Sequence, residues 1–189
     1  FFLFYFCEKN AGMIQIEDLK FEEFIPENDI LNRVKEISEK INTDYTNKKP
    51  LFLGILNGSF LFAADLFKHI SVPCEISFLK VNSYINTEST GKMKELIGIN
   101  QSLTDRHVVI IEDIVDTGRT LQYIFDTLKA ENPASISVIT LLHKPEATII
   151  PVKLDYVGFE IKNEFVVGYG LDYNGYGRNL PAIYIKTKD

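Results

Sequence analysis

The sequence predicts one α/β domain built on a doubly wound, mostly parallel sheet. Three observations predict it. Short apolar runs rich in β-branched residues alternate along the chain with helical stretches, the pattern of strand–helix–strand crossovers. The runs are continuous, as in strands buried on both faces. The chain has 189 residues, of which 46% are hydrophobic, 12% aromatic and 24% charged. A chain of that length buries about 70% of its unfolded surface around a single core. No repeat, low-complexity tract or Gly/Ser linker divides it.

The elements follow in order. Ile30, Val34, Ile37 and Ile41 are spaced four, three and four apart, a helical stripe on a polar segment. Pro50 precedes a buried-strand run, 51–56, which Asn57-Gly58-Ser59 breaks before a helix over 60–70. Further strands are expected at 75–81, 108–111, 136–142, 156–161 and 182–185, and a helix at 120–130. Between Ser83 and Glu95 the apolar residues thin out, so a long polar loop is expected there, of the kind that forms lids. The opening Phe1-Phe2-Leu3-Phe4-Tyr5-Phe6-Cys7 is too short to span a bilayer, which takes about 20 apolar residues. Residues 1–12 read as a non-native or upstream extension, or as an arm against a partner subunit, and residues 13–189 as the single domain.

Composition narrows the function. With 20 Lys+Arg against 26 Asp+Glu, the net charge is −6, and no dense basic run appears, which argues against nucleic-acid binding. The two cysteines, Cys7 and Cys74, form no metal-spaced pair, and His69, His107 and His143 share no metal spacing. No Gly-x-Ser-x-Gly elbow or Walker loop is present.

The chemistry concentrates in Val108-Val109-Ile110-Ile111-Glu112-Asp113-Ile114-Val115-Asp116-Thr117-Gly118-Arg119-Thr120. A buried strand ends in three carboxylates, then a Thr-Gly turn and a helix start. Ligands of open parallel sheets bind at that end. The turn can aim backbone N–H groups and two hydroxyls at one phosphate, with the helix N-terminus behind them. Glu112 and Asp113 can accept hydrogen bonds from a sugar diol or hold magnesium through water. The bland alternative makes Asp116 or Thr117 an N-cap, but a cap uses one acid and leaves two at a buried strand end unexplained.

Residues 112–120 resemble the 5-phosphoribosyl-1-pyrophosphate (PRPP) signature of type I phosphoribosyltransferases. Ser83-Tyr84, Leu141-Leu142-His143-Lys144-Pro145, Val157-Gly158-Phe159-Glu160-Ile161 and the run from Glu164 to Tyr173 are similar to the hypoxanthine-guanine phosphoribosyltransferases, in the same order from Met13 to Asp189. The resemblance implies the type I phosphoribosyltransferase fold, with a small hood and a mobile lid loop. It also implies a cytoplasmic enzyme of purine salvage, a homodimer or homotetramer, that moves phosphoribosyl from PRPP to N9 of hypoxanthine or guanine with Mg2+.

By the same resemblance Asp116 is the general base near purine N7. Glu112 and Asp113 take the ribose, and Thr117, Gly118, Arg119 and Thr120 cradle the 5′-phosphate. Lys144 donates to O6, Phe165 stacks on the base, and the backbone of Val166 and Asp172 reads its edge. Asp172 binds the metal, with Glu112 and Asp113 as further candidates. Asn57, Gly58 and Arg178 take the pyrophosphate, and Ser83 with Tyr84 forms the lid. Asn57 departs from the lysine that many members carry, and Arg119 stands where Lys or Asn is common. Without the resemblance, Lys144 reads equally as a strand-end lysine reaching solvent, and Phe165 and Val166 as core. A PRPP-sensing nucleic-acid regulator, a non-catalytic sugar-phosphate module and a xanthine- or adenine-preferring transferase are the competing readings.

Overall fold

In a computed structural model that describes residues 12–83, 93–97 and 101–188, the apolar runs assemble into a six-stranded sheet. Its strands are β3 (Leu51–Leu56), β4 (Glu75–Ser83), β5 (Met93–Ile97), β6 (His107–Val115), β7 (Ser135–His143) and β8 (Tyr156–Glu160). The order is β5-β4-β3-β6-β7-β8, parallel throughout except for β5, which runs antiparallel to β4. The chain winds from β3 outward to β4, then returns to the other side of β3 and continues through β6, β7 and β8. The winding therefore reverses between β3 and β6, where an open sheet leaves a crevice at its carboxyl edge.

Both faces of the sheet are covered, which explains the unbroken apolar runs. Phe52, Val109, Ile111, Ile139 and Leu141 pack against α1 (Glu27–Asp44) and α2 (Phe60–Phe67). Leu51, Leu53, Val108, Ile110 and Val138 face the other way, against Leu121, Ile124 and Leu128 of α3 (Arg119–Lys129). The expected stripe of α1 is wholly buried. Pro26 stands at its N-cap, with Glu27 and Asp29 placed favourably against the positive end of the helix.

Several boundaries differ from expectation. Helix α2 stops at Phe67 rather than 70, because Asn42 of α1 takes over the chain beyond: its Nδ2 donates to His69 O at 2.9 Å and its Oδ1 accepts from Ser71 N at 2.8 Å. Strand β6 runs on to Val115, since pairing with β7 continues through Glu112↔Thr140, Ile114↔Leu142 and Val115↔His143. Glu112 and Asp113 thus lie within the strand. Part of the expected polar loop, Met93–Glu95, belongs to β5, and its pairing with β4 supplies the hydrogen bonds its polar composition concealed. The expected strand at 182–185 is β10 (Ile183–Lys186).

A second, antiparallel sheet forms the hood, in the order β1 (Met13–Ile16), β2 (Leu19–Ile25), β10 and β9 (Val166–Val167). Ile14, Phe21, Val167, Ala182 and Tyr184 make its small core. Three of these strands escaped the sequence reading. Strand β2 buries only Phe21 and Ile25 among charges, so no period shows, and β9 is two residues long.

Arg33 of α1 ties the edge strand β8 to the helical layer. Its Nε donates to Gly158 O at 2.9 Å and its Nη2 to Val157 O at 2.8 Å. Replacing Arg33 with alanine is expected to cost about 1–3 kcal/mol of unfolding free energy by denaturant titration. An unchanged midpoint would show that β8 is held by its pairing with β7 alone.

Candidate active site

The β6–α3 connection forms the floor. Gly118, the N-cap of α3, has φ +79°, and a side chain there would meet Ile150 O at 2.1 Å, so only glycine fits. Arg119 N reaches Thr117 Oγ1 at a long 3.4 Å. Asp116 makes no cap, and of the two capping candidates only Thr117 reaches the helix start. A cavity of about 70 Å³ opens at this helix start, lined by Glu112, Asp116, Thr117, Gly118 and Thr120 together with apolar neighbours. Unused N–H groups at the start of a helix suit a phosphate anion.

The acids of β6 sit beside this floor in very different surroundings. Glu112 is buried and its Oε2 has no hydrogen-bond partner among the described residues. Burial, reinforced by the nearby Asp113, pushes its carboxyl well above the usual carboxylate range. Asp113 is pushed up to about 6 by burial, and the N–H groups of Ile114 and Asp113 and the charge of Arg178 only partly offset this. Its carboxylate lies against the α-carbon of Gly58, where a Cβ would come within 1.5 Å of Oδ2. Thus the turn after β3 and the end of β6 close on each other across the switch point. The Leu56–Asn57 peptide in that turn is cis, and the Asn57 side chain is exposed.

Asp116 projects from the end of β6 with its side chain 47% exposed, and Lys144 Nζ stands 3.6 Å from its Oδ2. Lys144 is buried, which removes the reading of a strand-end lysine in solvent. Its main-chain N–H donates to Val115 O at 2.9 Å, so the lysine and the acid are held at the ends of adjoining strands. Arg178 and Asp172 form a tight pair, Nη2 to Oδ1 at 2.6 Å, and Arg178 Nη1 also donates to Gly170 O at 2.6 Å. Asp172 Oδ2 accepts from Gly175 N at 2.7 Å.

The hood supplies Val166, buried in β9, and Phe165, whose ring is 42% exposed between Phe21 and Tyr173. A half-exposed aromatic offers a face for stacking, and the core reading holds for Val166 only. Arg119 is exposed. Ser83 ends β4, and Tyr84 lies outside the described residues. Glu112, Asp113 and Asp172 do not converge: among the described residues no three His, Cys, Asp or Glu side chains form a cluster able to hold a metal ion. Two contributors were invisible in the sequence. Asp65 of α2 accepts the Tyr169 hydroxyl at 2.6 Å, and Thr148 bonds the carbonyls of Asp116 and Lys144. Neither carries a local pattern, since the Tyr169–Asp65 partners are 104 residues apart.

Residues 24–174 match the phosphoribosyl transferase domain. The hypoxanthine-guanine phosphoribosyltransferase of Streptococcus pyogenes is 44% identical over 164 residues, 86% of this chain and 91% of its own length. This chain belongs to the hypoxanthine-guanine phosphoribosyltransferase family. The Streptococcus agalactiae protein of the same name is 45% identical over the same spans. Among solved structures, the hypoxanthine phosphoribosyltransferase of Staphylococcus aureus superposes with a TM-score of 0.84 at 42% identity, covering 90% of this chain and 92% of its own. That of Trypanosoma cruzi in complex with the product IMP superposes at 0.82 and 36% identity, covering 92% and 97%. The expected type I fold and transferase class are borne out.

The buried acids make a stability prediction for the ligand-free protein. Asp113 binds its proton more tightly folded, near 6, than unfolded, near 3.8, so the folded state loses stability as pH rises through that window. Asp113→Asn is expected to be more stable than wild type at pH 7.5, by on the order of 2–3 kcal/mol of unfolding free energy, and to match it near pH 4. A variant that melts lower at both pH values would show that the carboxylate stabilises the fold.

Proposed function

We propose that this site transfers the 5-phosphoribosyl group of PRPP to N9 of hypoxanthine or guanine, giving IMP or GMP and pyrophosphate. The bond from ribose C1 to the pyrophosphate oxygen breaks, the bond from C1 to N9 forms, and the purine gives up one proton. The observation that carries this reading is the Asp116–Lys144 pair beside the phosphate floor. A phosphate floor alone would serve any sugar phosphate. A proton acceptor paired with a buried ammonium donor suits a base that presents N7–H and an oxo group side by side.

Positive charge develops on the ribose as pyrophosphate leaves, so positioning and electrostatics carry the catalysis. Asp116 takes the N7 proton and faces the cationic sugar. Lys144 donates to O6, which favours 6-oxopurines over adenine, whose 6-amino group is itself a donor. Phe165 stacks on the ring, and the main chain of Val166 and Asp172 reads its far edge. The turn from Thr117 to Thr120 anchors the 5′-phosphate, with Arg119 acting through its backbone. Glu112 and Asp113 accept from the ribose hydroxyls, which replaces the hydration these carboxylates lost on burial. Gly58 and Asn57 offer main-chain N–H groups to pyrophosphate, and Arg178 supplies the charge that Asn57 lacks.

Phosphoribosyltransferases generally use Mg2+. The donors fit the ion: hard carboxylate oxygens, one of them buried without a partner. Magnesium takes one or two carboxylates and fills its remaining positions with water and substrate oxygens, so a three-carboxylate cage is not required. Asp172 would hold it on the pyrophosphate side, with Glu112 and Asp113 on the ribose side. When bound, the ion supplies positive charge against the departing pyrophosphate. Ser83 and Tyr84 are assigned to a lid that excludes water from the oxocarbenium ion. The −6 charge and family membership support small-molecule partners without nucleic acid, a homodimer or homotetramer, and a cytoplasmic location. No helix among the described residues is long and apolar enough to cross a membrane.

Two variants test the assignment. Asp116→Asn keeps the shape, so its melting temperature is expected to stay within a few degrees of wild type. Its turnover should fall by about 10²–10⁴, the usual loss for a general base. Near-normal turnover would remove Asp116 from the chemistry. Lys144→Gln is expected to lower the catalytic efficiency for hypoxanthine by about ten- to a hundredfold, as loss of a charge-assisted bond does. The PRPP dissociation constant should hold, because the phosphate floor is untouched. If efficiency and PRPP binding fall together, Lys144 is not the O6 donor.

A further inference from the structure

We infer that Thr148, backed by His143, is a positioning residue that keeps Asp116 and Lys144 paired, and so sets how well the purine is used. The inference rests on the assignment of those two residues to the base. Thr148 follows the 3-10 turn Pro145–Ala147, and its hydroxyl lies 3.2 Å from Asp116 O and 3.1 Å from Lys144 O. One side chain therefore grips the main chains of the proton acceptor and the O6 donor together. The functional side chains themselves are 3.6 Å apart, too far to lock each other by hydrogen bonding. The Lys144 N–H to Val115 O bond joins the two main chains one residue before Asp116, and the Thr148 hydroxyl adds a hold at the Asp116 and Lys144 carbonyls themselves.

A hydroxyl has one proton to give and lone pairs to accept with. The Thr148 proton goes to a carbonyl, so its oxygen is left to accept, and His143 Nε2 stands 3.3 Å away in position to donate. The other ring nitrogen, Nδ1, is buried without a hydrogen-bond partner and faces Glu160 Oε1 at 3.7 Å across the β7–β8 pair. The hydroxyl is thereby oriented from behind by a ring seated on the sheet, and it points at the two carbonyls.

The phosphate floor is clamped separately. Ile149 N and Ile150 N donate to Thr117 O at 3.1 and 3.0 Å, and Ile150 O closes on Gly118. These contacts are main chain and survive any change of side chain at 148. Hence one short segment fixes the phosphate side through its backbone and the purine side through one hydroxyl, and the two functions can be separated by substitution.

The test compares wild type, Thr148→Val and Thr148→Ser in full-length protein, with hypoxanthine and guanine as varied substrates and PRPP binding measured directly. Valine keeps the shape and removes the hydroxyl. It is expected to lower kcat/KM for either base by about threefold to tenfold while the PRPP dissociation constant stays within about twofold. Serine should restore wild-type values, and His143→Leu should shift base use in the same direction as valine. A Thr148→Val enzyme that matches wild type, a parallel fall in PRPP binding, or failure of serine to restore would each overturn the inference. Wild-type protein that turns over neither 6-oxopurine with PRPP would instead overturn the function on which it rests.

Discussion

Two carboxylates, Glu112 buried and Asp113 half-buried, at the point where a parallel sheet reverses its winding, govern the rest of this site. Glu112 and Asp113 sit on β6, flanked by β3 and β7, and both are pushed toward the neutral form by loss of water. Nothing in the fold requires acids there. An apolar pair would pack as well and cost less, as the neighbouring Ile110 and Ile111 show. Their burial makes sense when a ligand that carries hydroxyl donors and a cation completes the site. The same crowding dictates what lies opposite. With the Asp113 carboxylate against the α-carbon of residue 58, that residue can only be glycine. The bare backbone this leaves at the end of β3 is the surface proposed to bind pyrophosphate.

The division of labour follows from which groups are backbone and which are side chain. In the proposed reading, phosphate and pyrophosphate fall to main-chain turns, at Thr117–Thr120 and Asn57–Gly58, whose shape is fixed by glycines and neighbouring strands. Selectivity for the base is proposed to fall to side chains, above all Lys144, which is buried beside Asp116. A backbone anchor tolerates drift in sequence. A side-chain reader tolerates less.

The fold was legible wherever burial is two-sided. Strands β3, β6 and β7 are apolar throughout because helices cover both faces, and the α1 stripe is a helix period in plain view. The hood was illegible for the opposite reason. Its strands bury one or two residues each, and β9 exists only because Val166 and Val167 pair with β10. At the site, the acids and the Thr-Gly turn could be read from a single stretch because the strand, its end and the helix start are contiguous. The grip of Thr148 and the brace between Tyr169 and Asp65 depend on contacts across the fold. A threonine after a Lys-Pro turn, or an aspartate in a helix, carries no mark of either.

The most direct test of the central claim is a product assay with PRPP, Mg2+ and each of adenine, hypoxanthine, guanine and xanthine as the base. Efficient formation of IMP from hypoxanthine and GMP from guanine, with adenine far behind, is the predicted result. Efficient use of adenine, or tight PRPP binding with no nucleotide formed from any base, would contradict it.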